Sequence, residues 1–174
     1  QTIVENYLAS KFGASLADDK YAHDTAGDDY SYDVAGIGRE TSSATNLEAR
    51  SSILGLETGS FGSDGQYVFF GNDNADDSSF GFETTEPVNG LSGNAQRLAR
   101  EWRVDFTGLS GAKTVTLSVD GNDLPDKQSG FEYVVLVGEG DAFATNPVAY
   151  TLTDGSGGTC EQADATCSAT VDLE

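Results

Sequence analysis

The chain has 174 residues, of which 29 are acidic and nine basic, for a net charge of −20. That balance argues against nucleic acid as a partner, because phosphate contacts need clustered Lys and Arg, and an anionic membrane surface would repel the chain. The nine Phe, seven Tyr and 21 Gly, with only three Pro, sit in short apolar runs broken by Gly, Asn and Asp, the inventory of a mostly β protein.

The length suits one domain over residues 1–174, with a core of ordinary size. No apolar run is long enough to span a membrane, so no membrane insertion is expected. The absence of Met and of a signal peptide reads as a processed product or a segment of something larger.

Residues 1–13 read as the one helix. Thr2 and Glu5 have capping-box spacing. Ile3, Tyr7, Leu8, Lys11 and Phe12 follow helical spacing, with Val4 at the edge of the stripe, and Gly13 is a fitting stop. So short a helix is not stable alone, so its apolar stripe must dock on the sheet or on a preceding domain. Residues 14–29 are a polar loop.

From Tyr30 the pattern is β. Tyr30, Tyr32, Val34 and Ile37 form a strand, with a bulge expected at Gly36 and Gly38. Residues 51–57 read as a second strand. Residues 66–71 are apolar on both faces and so central. The acidic turn 72–77 follows. Residues 98–106 alternate, with Leu98, Arg100, Trp102, Val104 and Phe106 on one face. Val115, Leu117 and Val119 point inward from 114–119. Further strands are expected at 131–137, 148–152 and 169–173. The fold class is mostly β: an antiparallel β-sandwich with one short N-terminal helix, its two sheets closing over Trp102.

Cys160 and Cys167 read as one local disulfide in a C-terminal tail over residues 154–174, which implies an oxidising, extracellular compartment. His23, the only histidine, reads as an exposed loop residue beside Asp24. Nothing marks a nucleophile for it to activate, and in so acidic a chain a close carboxylate pair carries little weight for a glycosidase, so no enzyme is expected. Two loops gather hard oxygen ligands suited to calcium: Asp73, Asp76 and Asp77 with Asn72 and Asn74, then Asp120, Asn122, Asp123 and Asp126. Neither completes the D-x-[DN]-x-[DN]-G pattern. The alternative is turn chemistry, with each side chain bonded to nearby backbone. Arg100 shares the inner face with Trp102, so it needs a carboxylate or an aromatic ring, with Glu40 and Asp33 as candidates. The alternative is that Arg97, Arg100 and Arg103 form an anion- or partner-binding stripe.

Four stretches carry a resemblance: Tyr7-Leu8-Ala9-Ser10-Lys11-Phe12-Gly13, Val34-Ala35-Gly36-Ile37-Gly38-Arg39-Glu40, Tyr67-Val68-Phe69-Phe70-Gly71-Asn72-Asp73, and Arg97-Leu98-Ala99-Arg100-Glu101-Trp102-Arg103-Val104-Asp105. In order and spacing they resemble a β-rich accessory module of large bacterial surface proteins and adhesins, one that often follows a LamG or concanavalin-A-like domain. The resemblance spans roughly residues 3–153 and leaves the Cys160–Cys167 tail outside. It implies an extracellular, non-catalytic domain, whose helix continues from the domain before it.

Three functions compete. The first is a structural or adhesion module of a cell-surface protein, packed on neighbouring domains. The second is a filament subunit that donates strand 169–173 to an identical subunit. The third is a calcium-dependent carbohydrate-binding module, with Tyr30, Tyr32 and Tyr133 as its aromatics.

Overall fold

The computed structural model describes residues 1–25, 29–78, 96–139 and 145–173. Among these, helix α1 (Thr2–Phe12) precedes eleven strands: β1 (Tyr32–Thr41), β2 (Ala44–Asn46), β3 (Glu48–Ser51), β4 (Leu54–Glu57), β5 (Gln66–Asn72), β6 (Trp102–Thr107), β7 (Lys113–Val119), β8 (Val134–Glu139), β9 (Thr145–Thr151), β10 (Thr153–Asp154) and β11 (Cys167–Leu173). One sheet runs β2-β1-β5-β6, a second runs β10-β11-β7-β4-β3, and β8 and β9 pair as a ribbon. All strand pairs are antiparallel. This is the expected sandwich with its N-terminal helix.

The apolar run of β5 explains the layering. Val68 and Phe70 point into the core between the sheets, against Ile37, Leu56, Val115, Leu117 and Val171. Tyr67 and Phe69 point the other way, into a smaller cluster with Tyr21 and Val34 beneath Ile3. The first sheet is therefore covered on both faces, by the second sheet and by α1 with the loop that follows it. Phe70, Ile37 and Val68 are fully buried. Each such side chain contributes roughly 1.5–3 kcal/mol relative to exposure.

Gly36 and Gly38 serve packing rather than a bulge. They lie opposite Phe69 and Tyr67 across the β1–β5 pair. A Cβ at Gly36 would stand 2.7 Å from the Phe69 ring, and one at Gly38 2.8 Å from the Gln66 carbonyl. The irregularities fall elsewhere, between Tyr32 and Ala35, where Asp33 has φ 47°, and between Arg39 and Thr41. The expected strand over 51–57 is instead the β3–β4 hairpin, turned by Ser52 at φ 54°. The strand expected from Leu98 begins at Trp102, and those expected at 131–137 and 148–152 run as β8 and β9.

Helix α1 ends as expected, with Gly13 left-handed at φ 60°. Its start and its orientation differ from expectation. Gln1 is the N-cap and makes no side-chain cap bond, so the Thr2–Glu5 capping box does not form. Instead Glu40 on β1 accepts the Gln1 ammonium at 2.7 Å and the Thr2 N–H. That ammonium, followed by the Thr2 N–H, holds the Glu40 carboxyl down to about 2, from 4.5. Asn6 and Ala9 face the sheet, the Asn6 amide donating to the Thr2 carbonyl and its oxygen accepting the Lys20 N–H at 2.7 Å. Val4, Leu8 and Phe12, spaced i, i+4 and i+8, are 57%, 42% and 73% exposed.

The last strand is paired along its whole length on one side and at two positions on the other. β11 pairs with β7 over seven positions, from Cys167 opposite Val119 to Leu173 opposite Lys113, and with β10 on its other side.

Candidate functional site

The richest polar arrangement lies where the β3–β4 turn, the acidic loop after β5 and the entry to β6 meet. Asn72, fully buried at the end of β5, donates to the Tyr32 carbonyl and the Ser51 hydroxyl, both at 3.1 Å. The Trp102 indole N–H donates to the Ser51 carbonyl at 3.1 Å. A buried polar side chain is tolerated only with such partners, and these bonds join the two sheets.

Arg100 extends the same junction. Its Nε donates to the Ala75 carbonyl at 2.8 Å, and its Nη1 reaches the Ser52 hydroxyl and the Asp77 carboxylate. The Ser52 hydroxyl also donates to Asp77 at 3.3 Å. The partner of Arg100 is thus Asp77, not Glu40 or Asp33: Glu40 is occupied at the helix N-terminus, and Asp33 is exposed in the β1 irregularity. Arg97 pairs with Glu101 at 2.6 Å, and Glu101 accepts the Tyr30 hydroxyl at 3.1 Å. Burial pushes the Tyr30 hydroxyl up from its ordinary value. Arg103 lies 5.0 Å over the Tyr30 ring. The three arginines are therefore built into the fold rather than arrayed as a stripe.

The first acidic loop performs turn chemistry. Asp73 accepts the Ala75 and Glu101 N–H groups, both at 3.1 Å. Asp76 accepts the Ser78 N–H and hydroxyl at 2.9 and 2.6 Å. Asn72 accepts the Asn74 N–H at 2.9 Å. A calcium ion on Asp73, Asp76 and Asp77 would compete with these donors and with Arg100.

The second loop is a separate structure. Asp120 caps a short 3-10 turn at Gly121–Asp123, accepting the Asn122 side-chain and backbone N–H groups, which hold its carboxyl below the ordinary range. Asp123 lies 3.8 Å from Arg50, and Asp126 is exposed. This loop seats the disulfide loop. Cys160 and Cys167 are bonded and fully buried. The Gly121 N–H donates to the Asp164 carbonyl at 2.9 Å, the Gln162 amide to the Leu124 carbonyl at 3.0 Å, and Lys127 pairs with Glu161 at 2.7 Å. A Cβ on Gly121 would stand 2.5, 2.6 and 3.0 Å from the carbonyls of Glu161, Asp164 and Gln162. Backbone cannot swing aside as a side chain can. Gly121→Ala is therefore expected to cost about 2 kcal/mol of stability, read as a lower urea midpoint with an unchanged slope.

His23 is half-buried rather than exposed. Its Nε2 lies 3.3 Å from Asp105 on β6, and the Ala22 N–H donates to the same carboxylate at 2.5 Å. Asp24 accepts the Ser10 hydroxyl. The pairings fasten the loop after α1 to the edge of the first sheet. Of the three tyrosines considered for sugar, Tyr133 is buried with its hydroxyl on the Pro125 carbonyl, Tyr30 is tied to Glu101, and only Tyr32 is exposed. A groove of about 370 Å³ at one end of the sandwich is lined by Phe106, Leu109, Gly111, Ala112 and Leu173, none of them ionisable.

The roles of Ser51, Ser52, Asn72 and Gly121 escape the sequence reading. Asn72, a polar residue closing an all-apolar run, is the one local signal of the junction; Gly121 has none, because its neighbours come from residues 161–164.

No curated protein and no solved structure matches the chain. The family described as Domain of unknown function (DUF8202) matches residues 1–169, which takes in both cysteines of the tail. The chain therefore belongs to the DUF8202 family.

Proposed function

We propose that the chain is a non-catalytic structural or adhesion module of an extracellular surface protein, seated on a neighbouring domain of the same protein through the outer face of α1. The exposed Val4–Leu8–Phe12 stripe carries this reading. A helix that turns Asn6 and Ala9 to its own sheet beside Ile3 and leaves Val4, Leu8 and Phe12 in water departs from the usual arrangement. Such a face calls for a cover.

Two considerations favour a tethered domain as that cover. At low salt a second copy would bring another net charge of −20 against the first, which opposes association there. One stripe on an 11-residue helix is also far short of the roughly 800 Å² per partner of a stable free interface. A covalently linked neighbour needs no such area, because its effective concentration is high. The fully buried disulfide supports an oxidising, extracellular setting. Among the described residues, His23, Arg97, Arg100 and Arg103 and their partners Asp105, Glu101, Asp77 and Tyr30 hold loops and sheets together. Resemblance to accessory modules of bacterial surface proteins points the same way.

The test is the combined variant Val4→Ser, Leu8→Ser, Phe12→Ser. In the isolated chain its melting temperature should stay within a few degrees of the parent, since these side chains are largely solvated. In the intact protein from the natural host it should open a new protease-sensitive site next to α1. An intact variant as resistant as the parent protein would defeat the reading.

A further inference from the structure

The nine basic side chains are all committed within the fold. Arg39, Arg50, Arg97, Arg100, Lys20 and Lys127 pair with Asp64, Asp123, Glu101, Asp77, Asp18 and Glu161. Lys11, Arg103 and Lys113 lie over the rings of Tyr7, Tyr30 and Phe61. The net charge of −20 therefore has no cation of the chain left to spread over the surface. Exposed carboxylates stand on every side: Asp19 and Asp29 in the loop after α1, Glu57 on β4, Asp126 beside the disulfide loop, Glu132 before β8 and Asp172 on β11.

The β3–β4 hairpin holds the sharpest case. Glu48 and Glu57 are directly opposite each other in the antiparallel register, and both are exposed. Like charges so placed sit about 5 Å apart at Cβ and destabilise the pair. In dilute buffer no base among the described residues pairs with either, and the hairpin's one base, Arg50, turns to Asp123 and the Ile53 carbonyl.

We propose that this folded state is built for a cation-rich medium, in which dissolved cations supply the positive charge that the sequence lacks. Self-repulsion of a compact polyanion weakens it, and screening removes that repulsion. The dependence has a recognisable shape. The screening length falls from about 30 Å at 0.01 M salt to about 3 Å at 1 M, so most of the gain must come at low concentrations.

Thermal melting of the whole chain between about 0.01 and 1 M sodium chloride tests this, with an upward shift of roughly 10 °C expected, mostly below about 0.3 M. Sucrose, which strengthens burial without screening charge, should not reproduce that early rise. Glu57→Lys should raise the melting temperature by a few degrees at the lowest salt and lose that advantage at the highest. A melting temperature flat below about 0.3 M salt would overturn the proposal. So would a Glu57→Lys gain that is equal at both ends of the series.

Discussion

Replacing Arg100 with Met is expected to lower the folding free energy by about 2–3 kcal/mol, among the larger effects a single substitution should have on this chain. The guanidinium meets three different acceptors: the Ala75 carbonyl, the Ser52 hydroxyl and the Asp77 carboxylate. Removing it leaves a half-buried carboxylate facing a carbonyl. The full penalty for a buried pair is about 3–5 kcal/mol, and Asp77, at 24% side-chain exposure, retains enough water to reduce it. Asp77→Ala should cost somewhat less, and the double variant less than the sum of the two. Arg100→Lys should not rescue, because one ammonium cannot reproduce a fork whose Nε and Nη1 serve separate partners. Urea denaturation of the four variants measures all of this, and strictly additive single effects would show that the pair acts as two unrelated residues.

The Cys160→Ala, Cys167→Ala variant should lose a comparable amount. The bond closes a short loop, spanning seven positions in sequence, for which loop-closure entropy gives about 2–3 kcal/mol. The loop also carries packing. Both sulfurs sit in the main core beside Leu124, Leu152 and Ala169, and the carbonyls of residues 161–164 enclose Gly121. Loss of the bond should therefore loosen the turn at 121–123 as well as the β10–β11 connection. Because both cysteines are fully buried, a reductant should reach them only through unfolding. Thiol labelling under reducing conditions should then accelerate with urea in step with global unfolding. Fast labelling of the native chain would contradict that placement.

The sheet architecture was legible because its signals are local. The inward side chains of β7 alternate with strict period two, and the unbroken apolar run of β5 requires cover on both faces. Glycine at the end of α1 and the acidic turn after β5 read correctly for the same reason. What did not read was set by partners distant in sequence. Ser51 and Ser52 look like two more strand residues until Trp102, Arg100 and Asn72 converge on them. Gly36 and Gly38 suggest a bulge until the rings of Phe69 and Tyr67 are laid across them. Helical periodicity found the apolar stripe of α1 but not its direction. The side of α1 that packs is decided by the Glu40 tether at its N-terminus and by Asn6, which fits the sheet because the Lys20 N–H satisfies its oxygen.

The three layers have a consequence for the proposed role. The second sheet buries one face of the first, α1 and its following loop bury much of the other, and β11 pairs along its whole length with β7. Among the described residues, that leaves the outer face of α1 as the principal apolar surface without a partner. In the role we propose, the module would transmit position rather than chemistry, with the Arg100 junction at one place and the disulfide loop at another holding it rigid.

Hydrogen exchange of the α1 amides, compared between the isolated chain and the protein as its natural host produces it, probes that role most directly. Docking on a neighbouring domain predicts that exchange across residues 4–12 slows at least tenfold in the natural protein while the β5 and β7 amides, already protected by the core, stay unchanged. Equal α1 exchange in the two samples would mean that the stripe remains bare, and the account of this chain as a seated structural module would fail.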